Sequence, residues 1–280
     1  MLSANWAQEL RDSEALLATR PGQAKEVSWA AGEGHPTPWA FAYLHGFSAS
    51  RREISPTLEQ VSLALGANVF WSRLTAHGFD GEAFRKLSPD DLFRDSEEAY
   101  QILQKIGQKK VLVGTSTGAT LAVAQALWHP DLTAMILISP NFGAANKAAW
   151  LAGGPFGTYL GHAILGDYYE WKPRSELHGQ FWNTKYRVEG LTALLDMVNA
   201  VRRMPVRNLK VPCLVLLTES DLVVDTQKTL QFLAKAPAGT CQIRWIKAED
   251  HVLAGDILSP SSTAAVVEEI LGFLRELPAS

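Results

Sequence analysis

Cysteine is scarce in this chain: Cys213 and Cys241 are its only two among 280 residues. They fall in separate strand-like runs and match no metal-ligand spacing, so both read as buried thiols acting as small apolar side chains. Charge of one sign is also missing. Twenty-six Lys and Arg against 29 Asp and Glu leave a formal charge of -3, with no long basic run, which removes the electrostatic case for nucleic acid. No apolar stretch reaches the roughly 18–20 residues that cross a bilayer. Met1–Arg20 carries acidic residues where a signal peptide would have its apolar segment, which predicts a cytoplasmic protein. Neither G-x-G-x-x-G nor the G-K-[ST] ending of a P-loop occurs around the chain's most conspicuous glycines, so nucleotide binding is disfavoured and no cofactor is expected.

What remains is 47% hydrophobic and 20% charged, the composition of a globular protein large enough for a three-layer core. One domain with an insertion is expected. Its organising stretch runs from Lys109 through Gly114-Thr115-Ser116-Thr117-Gly118 to Ala124. An uncharged valine-rich run precedes the pentapeptide and small aliphatic residues follow it, an order that reads as strand, sharp turn, helix. G-x-S-x-G in that setting places the serine at the tip of a strained turn, with glycines on both sides so that strand and helix can approach. Ser116 is the candidate nucleophile.

Strand-like and helix-like segments alternate on both sides of this turn. Ser3–Ala18 reads as an amphipathic helix broken at Pro21-Gly22, and Lys25–Ala31 as a short edge strand. Trp39–Leu44 is a buried strand running into His45-Gly46-Phe47-Ser48, Arg52–Leu65 a helix, Ala67–Ser72 a strand, and Ser88–Gly107 an acid-started helix. Leu132–Ile138 and Val211–Leu217 follow as buried strands, Cys241–Ile246 as the last strand, and Thr263–Leu277 as the terminal helix. Such alternation implies a mostly parallel sheet with helices on both faces.

Asn141 to Pro205 interrupts the rhythm. About sixty residues is too long for a simple connection. The segment is crowded with Phe142, Trp150, Phe156, Tyr159, Tyr168, Tyr169, Trp171, Phe181, Trp182 and Tyr186, shows no obvious strand, and reads as a helical cap over the site. Most of those rings are expected to pack among themselves, with a few at the mouth of an apolar pocket. The domain plan is therefore a core of 1–140 and 206–280 with a cap insertion at 141–205. His162, His178, Asp167, Glu170 and Glu176 lie in the insertion at spacings that fit no metal template.

Two aspartates compete in the loop after Leu217. Asp225 stands just before a helix-like run and suits an N-cap, which leaves Asp221 as the acid that orients a base. His251, in the polar loop after the last strand, is the candidate base. Ser, Asp and His then occur in that order, each at the carboxyl end of a strand. His77 and His45 read as turn histidines, His45 bonded to its own backbone.

His45-Gly46-Phe47, Gly114-Thr-Ser116-Thr-Gly118, Asp221-Leu-Val-Val and Asp250-His251-Val-Leu together resemble the serine α/β-hydrolases, in particular the bacterial carboxylesterase and monoacylglycerol-lipase-like branch. The resemblance covers nearly all the chain beyond its first twenty or so residues. It implies the α/β-hydrolase fold, a Ser116–His251–Asp221 triad, and an oxyanion hole formed by the Phe47 and Thr117 amides. Members of that branch often have histidine and methionine beside the serine, whereas here both neighbours are threonine. The expected substrate is a small ester with an apolar acyl group. Two alternatives stay open: an amide or peptide hydrolase, with Asp167, Glu170 or Glu176 holding a substrate amine, and a non-catalytic ligand-binding member of the fold. Acyl preference and oligomeric state are not readable.

Overall fold

Runs of β-branched and aliphatic residues without charge become the middle of a sheet, and the computed structural model, which describes residues 3, 5–145, 153–154 and 156–278, shows how. Helix α1 (Trp6–Ala15) precedes edge strand β1 (Glu26–Ser28), then β2 (Thr37–Leu44). The expected helix over Arg52–Leu65 is interrupted. Arg51–Ile54 forms one tight turn, Ser55 is extended before a cis Pro56, and α2 (Thr57–Leu65) begins only afterwards. The physical reason is local, because proline has no N–H to donate and disfavours helical geometry in the residue before it. Gly66, at φ 57°, closes α2 in the left-handed conformation.

Strand β3 (Asn68–Trp71) leads to α3 (Pro89–Ile106), whose start is a reciprocal cap: the Ser88 hydroxyl accepts from Asp91 N–H while the Asp91 carboxylate accepts from Ser88 N–H. Then come β4 (Gly107–Thr115), α4 (Thr117–Trp128) and β5 (Ala134–Ile138). The segment from Asn141 to Pro205 holds α5 (Gly157–Leu165), β6 (Tyr168–Glu170), α6 (Glu176–Phe181), β7 (Lys185–Arg187) and α7 (Val188–Arg203). It is not purely helical: β6 and β7 pair antiparallel as a small sheet of their own. Strand β8 (Cys213–Leu217), α8 (Thr226–Leu233), β9 (Cys241–Trp245) and α9 (Thr263–Glu276) complete the chain.

The main sheet has the order β1-β3-β2-β4-β5-β8-β9, parallel throughout except for the antiparallel edge strand β1. Strand β4 lies at its centre, with β2 and β5 on either side, and β5 is buried along its whole length. One apolar layer joins α3, α4 and α7 to one face of the sheet, and a second joins α2 and α9 to the other. Because the strands run parallel, the loops after β2, β4, β8 and β9 open on the same rim, where ligands of open α/β sheets bind. Most insertion rings do pack inward. Phe142 stacks on Phe232, and Phe181, Trp182 and Tyr186 are buried, while Phe156 and Tyr159 are exposed and Trp150 lies outside the described residues. No described helix is long and apolar enough to cross a membrane.

Candidate active site

The turn between β4 and α4 is a single residue. Ser116 adopts φ 53°, ψ −111°, a positive φ that is strained for any residue with a Cβ and persists only where the surroundings enforce it. Three hydrogen bonds do so here: Ser116 N–H donates to Ile138 O at 2.8 Å, and Ser116 O accepts from Thr120 N–H at 3.1 Å and Asn141 N–H at 3.2 Å. The flanking glycines are required by close approach. A Cβ on Gly114 would lie 2.4 Å from Gly118 C, and one on Gly118 would lie 1.9 Å from Leu44 O. The side chain so presented belongs to a residue only 8% exposed.

The loops after β8 and β9 bring two more of the expected residues together. Asp221 Oδ2 lies 2.7 Å from His251 Nδ1, and Asp221 Oδ1 accepts from Val223 N–H at 2.8 Å and Val224 N–H at 2.9 Å. Burial by itself would raise the Asp221 carboxyl. The His251 hydrogen bond and charge, with the Val224 and Val223 amides, outweigh that and hold it below its ordinary value. An ionised Asp221 fixes the proton of His251 on Nδ1 and leaves Nε2 with a lone pair. That Nε2 is buried and has no hydrogen-bond partner among the described residues. Asp225, the rejected competitor, caps α8 by accepting from Gln227 and Lys228 N–H at 3.0 and 3.2 Å.

The loop after β2 runs directly against the serine turn. A Cβ on Gly46 would fall 3.6 Å from Ser116 Cβ. Neither Phe47 N–H nor Thr117 N–H is engaged by an acceptor among the described residues, and Thr117 opens α4, where the helix dipole favours negative charge. The nearby histidines are structural. His45 donates from Nδ1 to Gly46 O at 2.8 Å and accepts at Nε2 from Leu74 N–H at 3.0 Å, and burial lowers its pKa to about 4. His77 accepts from Ser48 N–H at 2.9 Å and donates to Thr75 O at 3.0 Å, and burial and the neighbouring His45 keep it neutral. Each imidazole is a fixed, uncharged brace for the loop.

Residues 42–257 match the Hydrolase_4 family, described as "Serine aminopeptidase, S33". The chain belongs to the Hydrolase_4 family. A thermostable monoacylglycerol lipase from Bacillus sp. (strain H-257) is 29% identical over 117 residues. That match covers 42% of this chain and 46% of the lipase, so it spans about half of that relative's length. The fold is shared with a structure reported for the metagenome-derived lipolytic enzymes LipS and LipT, at TM-score 0.75 and 17% identity over 92% of this chain and 99% of that one. It is shared also with a soluble variant of the Saccharomyces cerevisiae monoglyceride lipase, at TM-score 0.66 and 12% identity over 95% and 98% of the two chains. The Paleococcus ferrophilus monoacylglycerol lipase gives TM-score 0.64 at 14% identity over 89% and 98%.

One group in this Hydrolase_4 site has no counterpart in the sequence reading. Glu53, in the tight turn after the β2 loop, is 1% exposed, and its Oε1 accepts from Tyr43 O–H and Gly46 N–H, both at 2.6 Å. Burial pushes its carboxyl up to about 7, against the lowering effects of Tyr43, Gly46 N–H and the His251 charge. Within the charged run Arg51-Arg52-Glu53 nothing in the sequence marks it as buried. The insertion reaches both sides of the site, since Asn183 N–H donates to Ser48 O at 2.6 Å and Arg174 pairs with Asp250. Two surface cavities of about 330 and 320 Å³ lie elsewhere, lined by residues such as Trp6 and Trp29, and Arg202 and Phe232. Among the described residues no cluster of His, Cys, Asp and Glu could hold a metal ion.

Proposed function

We propose that this chain is a serine hydrolase that cleaves carboxylic esters through an acyl-enzyme. The observation that carries the reading is the state of His251: Nδ1 is held by Asp221 at 2.7 Å, while Nε2 is buried with no hydrogen-bond partner among the described residues, the Ser116 hydroxyl included. A buried imidazole nitrogen without a partner is unfavourable unless the site's chemistry supplies one, and the hydroxyl of a nucleophile is the natural supplier. His251 would remove the Ser116 proton as Oγ attacks an acyl carbonyl. Asp221 would hold the ring's tautomer and stabilise the imidazolium, and His251 would then protonate the leaving alcohol. The Phe47 and Thr117 amides would receive the oxyanion, at about 3 kcal/mol for each such donor. Water, activated by His251, would release the acid.

Ester over amide is supported by the lipases and esterases with which the chain shares sequence or fold. Of the insertion's carboxylates, Asp167 is paired with His162 and Arg187 and Glu170 with Lys185, whereas Glu176 has no ion-pair partner among the described residues, so an amide substrate with a free amine stays the second reading. The plan of a core at 1–140 and 206–280 with a cap at 141–205 belongs to the same proposal, the cap setting acyl preference. A panel of p-nitrophenyl esters of increasing acyl length tests it. Hydrolysis by the wild type and none by Ser116→Ala is expected, whereas equal rates in the two would remove Ser116 from the reaction.

A further inference from the structure

Among the buried ionisable groups that the proposed chemistry does not use, Glu53 is one on which three elements of the site converge. Glu53 Oε1 takes the Gly46 N–H, one residue before the Phe47 amide. The Tyr43 hydroxyl lies 2.6 Å from the same oxygen and 2.8 Å from Thr115 Oγ1, so its single proton goes to the carboxyl while it accepts from Thr115, the residue before Ser116. Oε2 points at the same space: a Cβ on Gly46 would lie 3.0 Å from Glu53 Oε2 and 3.6 Å from Ser116 Cβ. From the other side Gly255, at φ +107°, brings the loop that carries His251 onto the Glu53 backbone, where a Cβ would stand 2.4 Å from Glu53 O. Asp256 N–H donates to Ser55 O at 2.9 Å, and Arg52 pairs with Asp256 at 3.0 Å. The turn is thus tied to the β2 loop, the serine turn and the histidine loop together.

We propose that Glu53 is a positioning residue of the active site: its carboxyl, joined to Gly46 N–H and Tyr43 O–H beside Ser116, sets the loop from which the Phe47 amide meets the substrate's developing oxyanion. The inference rests on the roles given above to Ser116, Phe47 and His251. Its physical content is that an acceptor is required at this point. Without one, Gly46 N–H is free to rotate toward other acceptors and the adjacent amide loses its aim, and a donor displaced by a fraction of an ångström contributes little. Binding of the ground-state ester does not depend on that aim, so the loss falls on turnover.

The test uses Glu53→Ala and Glu53→Gln, with active sites counted by complete titration with a fluorophosphonate and p-nitrophenyl butyrate as substrate. Glutamine keeps an oxygen acceptor for both donors and is expected to retain kcat per titrated site within about threefold, with alanine expected to lose about 10- to 100-fold and KM to move less than about threefold. A merely structural role would instead lower the number of titratable sites and leave turnover per site unchanged, and that result overturns the proposal. Equal losses in both variants overturn it too. If neither Glu53→Ala nor Glu53→Met yields folded protein, position 53 serves the fold and not the site, and the proposal fails. Absence of any phosphonate adduct in the wild type would instead bring down the hydrolase reading on which this one stands.

Discussion

Replacing Glu53 by glutamine should make the protein more stable at pH 8 than the wild type, and by much less at pH 5. The carboxyl is fully buried and its pKa is pushed from an ordinary 4.5 to about 7, chiefly by burial. A carboxyl whose folded pKa is raised contributes stability below the unfolded pKa, and that contribution is lost as pH rises to the folded value. This contribution therefore falls between about 4.5 and 7 and is flat above. At about 1.4 kcal/mol per pH unit the loss amounts to about 3 kcal/mol. Glutamine has no proton to lose, so the variant should lack this slope while other buried groups, such as Asp95 at about 6, titrate equally in both proteins. Urea unfolding of the two proteins at pH 5 and pH 8 measures the difference of differences. A value near zero would refute the reasoning, because it would mean that Glu53 is ionised without penalty or is not buried in solution.

Other substitutions separate the remaining roles. Asp221→Asn keeps an oxygen for the Val223 and Val224 amides but replaces the acceptor of His251 Nδ1–H, so kcat for ester hydrolysis should fall by roughly 10³–10⁴ with the fold intact. Asp225→Asn leaves an adequate helix cap and should change neither kcat nor stability by more than about 0.5 kcal/mol; reversal of the two outcomes would exchange their roles. Gly118→Ala forces a Cβ to within 1.9 Å of Leu44 O, and a loss of about 3 kcal/mol or more in urea unfolding is expected; a wild-type midpoint would show that the serine turn is not packed as described.

The parts of this architecture that were legible in the sequence are those whose causes are local. Gly114–Gly118 reads as strand, turn and helix because both glycines sit where no Cβ fits, and Asp225 reads as a cap because a carboxylate before a helix start has few other uses. The order of Ser116, Asp221 and His251 on three parallel strands made the pairing of the last two an expectation before any distance was known. What escaped depends on contacts remote in the chain or on segments too short to show a period. Strands β6 and β7 have three residues each, too few for alternation to show, and their pairing spans the whole of α6. Pro56 lay within an otherwise helical pattern, and its break of that helix created the turn that buries Glu53. Glu53 itself stands after two arginines and looks like a solvated charge. Its burial follows from Tyr43, Gly46 and the loop at Gly255, which only the folded sheet brings to one place.

The account depends most on Ser116 being the nucleophile that His251 activates. Incubation with a fluorophosphonate, followed by proteolysis and mass spectrometry, tests this directly: a single phosphonyl adduct on the peptide containing Ser116 is expected, formed at least about a hundredfold more slowly in His251→Ala. An adduct on another residue, or labelling of Ser116 that is indifferent to loss of the imidazole, would contradict it.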